Sequence, residues 1–154
     1  MPFESDQIAA KLNELFLEAY SWEWSKDLRP AEQALVAIWP LEQEVYNGGF
    51  LQYCQNQSDY PEVAPVAEQL NKIGMTKAAA IVERALALAR SHMGTGSTYV
   101  SFLDLPKPVQ DEIPACEREF YKTLDEVNAA LFRYILSRRD EIDAPSGYWT
   151  ESIQ

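Results

Sequence analysis

This chain of 154 residues has one histidine, two cysteines and few bases, and each shortage removes a class of function. His92 has no cysteine or carboxylate at a metal-ligand spacing, so it reads as a surface or helix-terminal residue and no metal site is expected. Cys54 and Cys116 make neither a zinc pattern nor a disulfide framework, and a single histidine is the only candidate to activate them. Both read as buried free thiols. No apolar run approaches the roughly 20 residues of a membrane span. The opening residues, Met1-Pro2-Phe3-Glu4-Ser5-Asp6, lack the basic and apolar regions of a secretory signal. Thirteen Lys and Arg face 24 Asp and Glu, a net charge of −11. That balance excludes the basic footprint of direct nucleic-acid binding and disfavours an anionic membrane surface. A soluble, cytoplasmic protein is the expectation.

What is present is core material. Of the residues, 47% are apolar and 12% aromatic, ample for one domain, since domains most often run to about 100–150 residues. The apolar spacing is helical. Ser5 or Asp6 is placed to cap a helix carrying Ile8, Leu12, Leu15, Phe16 and Ala19. Pro30 suits the first turn of a second helix, and Pro40 predicts a kink or break near Trp39. Asn47-Gly48-Gly49 ends that segment, and a short helix follows over 50–55. Another is expected from Tyr60-Pro61-Glu62 to Ile73, stopping at Gly74. The next, over 77–91 with Thr76 as cap, has apolar residues on every side from Ala78 to Ala89. Only its Glu83, Arg84 and Arg90 need water, which makes it the buried, Ala-rich centre. Phe120, Leu124, Val127, Leu131, Tyr134 and Ile135 repeat at 3–4 spacing and predict a last helix of about 20 residues. The expected architecture is all-α: a single-domain bundle of six to seven helices over 1–140, then a C-terminal tail over 141–154.

Catalytic patterns are missing. Gly94-Thr95-Gly96-Ser97-Thr98 lacks a Walker lysine, and Tyr99 stands where a dinucleotide fingerprint needs glycine. The pairs Glu42/Glu44, Asp111/Glu112, Glu117/Glu119 and Asp125/Glu126 lack the histidine partner of di-iron bundles. No calcium-loop spacing occurs. Neither a cofactor nor an enzymatic activity is expected.

The most distinctive run is Glu44-Val45-Tyr46-Asn47-Gly48-Gly49-Phe50-Leu51-Gln52-Tyr53-Cys54-Gln55-Asn56. It reads as a helix end, a two-glycine corner and a new helix start, with Phe50 and Tyr53 packing inward. Glu44, Asn47, Gln52 and Asn56 offer either a polar staple for the loosened backbone or a small ligand site. This run, Glu-x-x-Asn-Gly-Gly-Phe-x-Gln-Tyr-x-x-Asn, resembles the signature of a bacterial family of unknown-function domains named after a DNA-mimic protein. Ile73-Gly74, the Ala-rich stretch and Phe120-Tyr121 fit the same layout, so the resemblance spans about residues 30–136. Tyr46 and Cys54 depart from the family pattern. The resemblance implies an all-helical domain, often a homodimer, with no established enzymatic activity. It further implies an acidic surface that occupies the DNA-binding face of a partner protein.

The acids are unevenly spread. Residues 1–71 hold twelve acids and three bases, whereas 72–154 hold twelve acids and ten bases. A chain of this mass exposes about 7,900 Å². Eleven charges spread evenly would give about one per 700 Å², against about one per 100 Å² on duplex DNA. Mimicry therefore needs the acids gathered on one face. Glu14, Glu18, Glu23, Asp27 and Glu32 are the residues expected to meet a basic DNA-binding or nuclease-type partner, as carboxylates about 6 Å apart along a helix. Acidity also serves solubility alone. An immunity-type toxin inhibitor and a small ligand-binding or enzymatic domain at the 44–56 corner are the other readings.

Overall fold

The computed structural model describes residues 4–20, 27–57, 65–93 and 100–149, with Gln57 described by its backbone only. The described residues form six α-helices and no strand: α1 (Ser5–Leu15), α2 (Pro30–Gln57), α3 (Val66–Lys72), α4 (Thr76–Ser91), α5 (Lys107–Tyr121) and α6 (Leu124–Ser137). A wide π-helical turn, Phe16–Tyr20, extends α1, and single 3₁₀ turns lie at Phe102–Asp104 and Arg139–Glu141. The all-α, single-domain reading holds.

Helix α1 buries Ile8, Leu12 and Leu15 along one face. Its first turn is closed by Glu4, whose N–H donates to Gln7 Oε1 at 3.0 Å, and not by Ser5 or Asp6. Helix α2 runs through Pro40 without a break, because Leu35, Ile38 and Leu41 on either side are fully buried and hold the backbone. The cost is one backbone hydrogen bond. The break comes instead at Gly49 (φ 86°, ψ −178°). α2 packs against every other helix except for a lesser contact with α1, so it shares the centre with α4. Helix α4 buries Ala78, Ala79, Ile81, Val82, Ala85, Leu86 and Ala89, while Ala80 and Ala87 join Glu83, Arg84 and Arg90 on its water face.

Three boundaries differ from the sequence reading. α3 begins at Val66 after an extended Pro65, and the earlier start at Tyr60-Pro61-Glu62 lies outside the described residues. Met75, not Thr76, precedes the first residue of α4, so Thr76 provides no cap. The long last helix is two helices. Thr123 turns its N–H and its hydroxyl back onto the Phe120 carbonyl, at 2.9 and 2.7 Å, and α6 starts afresh.

The segment after α6 folds back onto the start of the chain. Tyr148 is buried against α1: its hydroxyl donates to the Lys11 carbonyl at 2.6 Å, and Lys11 Nζ donates to the Tyr148 carbonyl at 3.1 Å. The same ammonium sits 3.8 Å from the Tyr148 ring centre, within cation–π range. Trp149 stacks edge-on against Tyr148.

One core residue is chemically out of place. Glu42 on α2 is 4% exposed, and burial pushes its carboxyl well above the usual glutamate range. No cation faces it among the described residues. With its amide oriented to donate, Asn128 of α6 reaches the two carboxyl oxygens at 2.7 and 2.8 Å. In the protonated acid, the opposite amide orientation accepts the proton instead. At neutral pH the unfolded chain ionises Glu42 while the fold resists it, so this residue lowers stability above the ordinary value of 4.5. Glu42→Gln, which can still bond Asn128, should raise stability at pH 7 by about 1–3 kcal/mol. Urea unfolding across pH should show that gain shrinking to nothing below about pH 4.

Candidate functional site

The glycine corner is built by the break in α2. In an unbroken helix the Phe50 amide would bond the carbonyl four residues back. With Gly49 extended at positive φ, that amide donates instead to Glu117 Oε1 of α5, at 3.3 Å. The Tyr121 hydroxyl donates to the Val45 carbonyl at 2.9 Å. At Gly49 the positive φ excludes other residues, while at both glycines a Cβ would need a neighbouring side chain to move. A Cβ on Gly49 would collide with the Glu117 carboxylate, and one on Gly48 with the Gln52 amide oxygen. Phe50 is fully buried and tilts against Phe120, ring centres 5.6 Å apart; Tyr53 is buried as well. Burial raises the Glu117 carboxyl above the usual range, offset in part by the Phe50 amide and Arg118.

The polar residues of the corner bond to one another rather than to the backbone. Gln52 Nε2 and Asn56 Nδ2 both donate to Glu44 Oε2, at 2.9 and 2.8 Å. Asn47 is exposed at the apex, beside Tyr46. A cleft of about 330 Å³ opens between the second half of α2 and α5, lined by Gly48, Leu51, Gln52, Gln55, Phe102, Ile113, Pro114 and Glu117. Its one acid is Glu117, which the sequence reading did not single out because nothing local distinguishes it from its neighbour Glu119. Glu44 lies outside this cleft. His92 sits at the end of α4 with Nδ1 3.0 Å from the Leu88 carbonyl. Cys54 and Cys116 are buried free thiols, and the 94–98 glycine loop lies outside the described residues. No group of three His, Cys, Asp or Glu among the described residues is arranged to hold a metal ion. Nor is any described helix long and apolar enough to cross a membrane.

The five acids expected on a partner-binding face separate into distinct environments. Glu14 is exposed, with Lys11 Nζ 3.5 Å away. Glu18 and Asp27 are exposed, and no cation pairs with either among the described residues. Glu23 lies outside those residues. Glu32 does not belong to an open face, being only 4% exposed. Its Oε1 accepts from the Arg29 amide and from Arg29 Nε, at 2.9 and 3.0 Å, and its Oε2 from the Tyr20 hydroxyl at 2.6 Å. Burial alone would raise this carboxyl, yet the bonds from Arg29 and Tyr20 hold it below the usual range. Beside it, Glu141 Oε1 accepts from the Ala31 amide at 3.0 Å. Two carboxylates thus satisfy the first amides of α2, where the helix dipole favours negative charge. Glu32 makes one half of a capping box, and the sequence did not announce it, because Arg29 stands where the signature has Ser or Thr.

The model of the DMP19-like protein family matches residues 26–138, about three-quarters of the chain. The chain belongs to that family. It is a family of the DNA-mimic, non-enzymatic kind. Comparison with curated proteins and with solved structures found no match. The part matched to the DMP19-like family contains the corner, the cleft and the Arg29–Glu32 pair, but not α1 with Glu14 and Glu18, nor Tyr20 and Glu141. Gly49 occupies backbone space that is essentially reserved for glycine. Gly49→Ala should therefore destabilise the fold by about 1–3 kcal/mol through backbone strain. Glu117→Gln, which keeps an acceptor for Phe50, should cost less. Denaturant midpoints at constant slope check both, and equal losses would count against the strain argument.

Proposed function

We propose that this protein is a non-enzymatic binding protein whose exposed carboxylates stand in for DNA phosphates and occupy the DNA-binding surface of a basic partner. Membership of the DMP19-like family is the observation that carries this reading. The state of the acids supports it. Cations pair with part of the acids in both halves: Lys11 with Glu14 and Arg29 with Glu32, and in the second half Arg84 with Glu112 and Glu119 and Lys107 with Asp111, while Asp125 and Glu126 are exposed there. Glu18 and Asp27 have no such partner among the described residues, and Asp6 and Glu4 are exposed on α1 and at its start. An uncompensated negative field of this kind steers a basic protein and accelerates encounter, and salt weakens it steeply.

The partner is a DNA-binding or nuclease-type protein whose basic surface normally meets phosphates. Glu14, Glu18, Asp27 and, from the sequence, Glu23 are the contact acids; Glu32 is left to the fold. The surface area of 8573 Å² makes eleven evenly spread charges far sparser than DNA phosphates, so the effect depends on these local acids. The test is retention of lysate proteins on the tagged chain at low salt, followed by elution with salt and challenge with duplex DNA. A retained DNA-binding protein should be displaced by the duplex. With that partner purified, the Glu14→Lys/Glu18→Lys variant should bind at least about tenfold more weakly at low salt, with a shallower salt dependence. Unchanged affinity and salt slope would remove the electrostatic reading.

A further inference from the structure

A groove of about 310 Å³ lies between the end of α1 and the middle of α2. Phe16 and Leu17 from the π-helical turn and Trp39 and Pro40 from α2 supply its apolar walls, and Glu44 supplies its acid. Leu17 stands 57% exposed at the rim, whereas Trp39 is 4% exposed and forms the floor. The Trp39 indole N–H is engaged by Asn13 Oδ1 at 3.4 Å, which fixes the buried ring as the floor of the groove. Glu44 uses Oε2 for Gln52 and Asn56, and its Oε1 takes no hydrogen bond among the described residues. In the chain, the exposed acids Glu14 and Glu18 flank Phe16 and Leu17.

We propose that this groove takes one arginine side chain of the basic partner, its stem against Leu17 and Pro40, its guanidinium beside the Trp39 indole and Glu44. The inference rests on the electrostatic reading above and names what that reading recognises at short range. Three observations select the occupant. The volume is at the lower limit of ligand pockets, suited to a single side chain. The mixture of apolar wall and carboxylate fits a side chain with a hydrocarbon stem and a cationic head, since an apolar occupant would strip water from Glu44 and give nothing in return. A planar, weakly hydrated guanidinium forks onto a carboxylate, which an ammonium does less well. A second copy of this chain is disfavoured as occupant, because it would bring its own net charge of −11 to a groove flanked by acids.

The experiment is a titration of the ¹⁵N-labelled full chain with N-acetyl-arginine amide, with the neutral citrulline and leucine analogues as controls. The arginine compound should give saturable shifts at the Trp39 indole and at the Leu17 and Glu44 amides, with millimolar affinity. Citrulline amide should bind at least about fivefold more weakly, the factor expected for losing an ion pair of about 1 kcal/mol. Glu44→Gln should weaken the arginine compound to a similar degree. Because that change also touches the corner, Leu17→Ser at the exposed rim provides a second variant that leaves the fold alone, and it too should weaken binding. A flat titration, or equal binding of all three amides, overturns the assignment. If the titration is flat while retention of the partner still needs Glu14 and Glu18, the groove fails and the electrostatic reading stands. Charge-selective binding of the arginine compound, with retention indifferent to those acids, supports the groove and overturns the other reading.

Discussion

Phe50 carries a backbone amide that an unbroken α2 would have paired four residues back, and Gly49 takes that pairing away. A buried amide without an acceptor is costly, so the break is tolerable only because Glu117 arrives from α5 to accept it. That one contact joins two helices distant in sequence. It sets the direction of the second half of α2, seats Phe50 against Phe120, and opens the cleft beside Gln52. Gly48 and Gly49 follow from the same demand, since the Gln52 amide packs on one and the Glu117 carboxylate on the other. The distinctive run of the sequence is thus explained by packing at the corner before any ligand is invoked.

The carboxylates of the first half do three different jobs, and only one is electrostatic display. Glu32 closes the start of α2, with Glu141 beside it. Glu42 is buried, and burial raises its carboxyl well above the usual range. Their pH dependences run in opposite senses. The depressed carboxyl of Glu32 contributes stability that is present above its unfolded value and lost as the solution becomes acid. The raised one of Glu42 is a burden that acid relieves. Subtracting such residues leaves a smaller set of displayed acids on α1, at its start and at Asp27, and a formal charge count for residues 1–71 overstates the field a partner meets.

Helix type and the buried face of α1 were legible because burial of a regular stripe is a local, periodic demand, whereas the alanines of α4 hid its water face, on which Ala80 and Ala87 lie. The errors lie where a non-local contact outweighed a local preference. Pro40 removes one hydrogen bond, yet fully buried Leu35, Ile38 and Leu41 hold α2 through it. The division between α5 and α6 was hidden because Phe120, Leu124 and Val127 keep helical spacing across the turn at Thr123. Glu32 and Glu14 look alike in the sequence; what separates them is Tyr20 and the returning residues 141–143, which arrive only when the chain has folded. Of the site, the break was legible from its glycines, but the amides of Gln52 and Asn56 bond Glu44 rather than the loosened backbone, and the acid Glu117 carried no local mark.

Placement of function in the DMP19-like fold then follows from what the fold requires. Residues 26–138 contain the Gly49 break, the Glu117 acceptor and the Arg29–Glu32 pair, while the Tyr20 and Glu141 partners of that clamp lie just outside. Changing a charge there disturbs backbone pairing. The exposed acids of α1 precede that stretch, on a helix whose buried face is fixed by Ile8, Leu12 and Leu15. Of its other residues Lys11 is held by Tyr148 and Glu14, while Asp6 and Glu18 are exposed with no cation partner among the described residues, so charges at those two can be retuned toward a given partner at little cost to the core. The groove formed by Leu17, Trp39, Pro40 and Glu44 sits where the adjustable helix meets the constrained one. A long-range field set by exposed acids brings a basic surface in, and a rigid short-range pocket built on α2 is what can distinguish one basic surface from another.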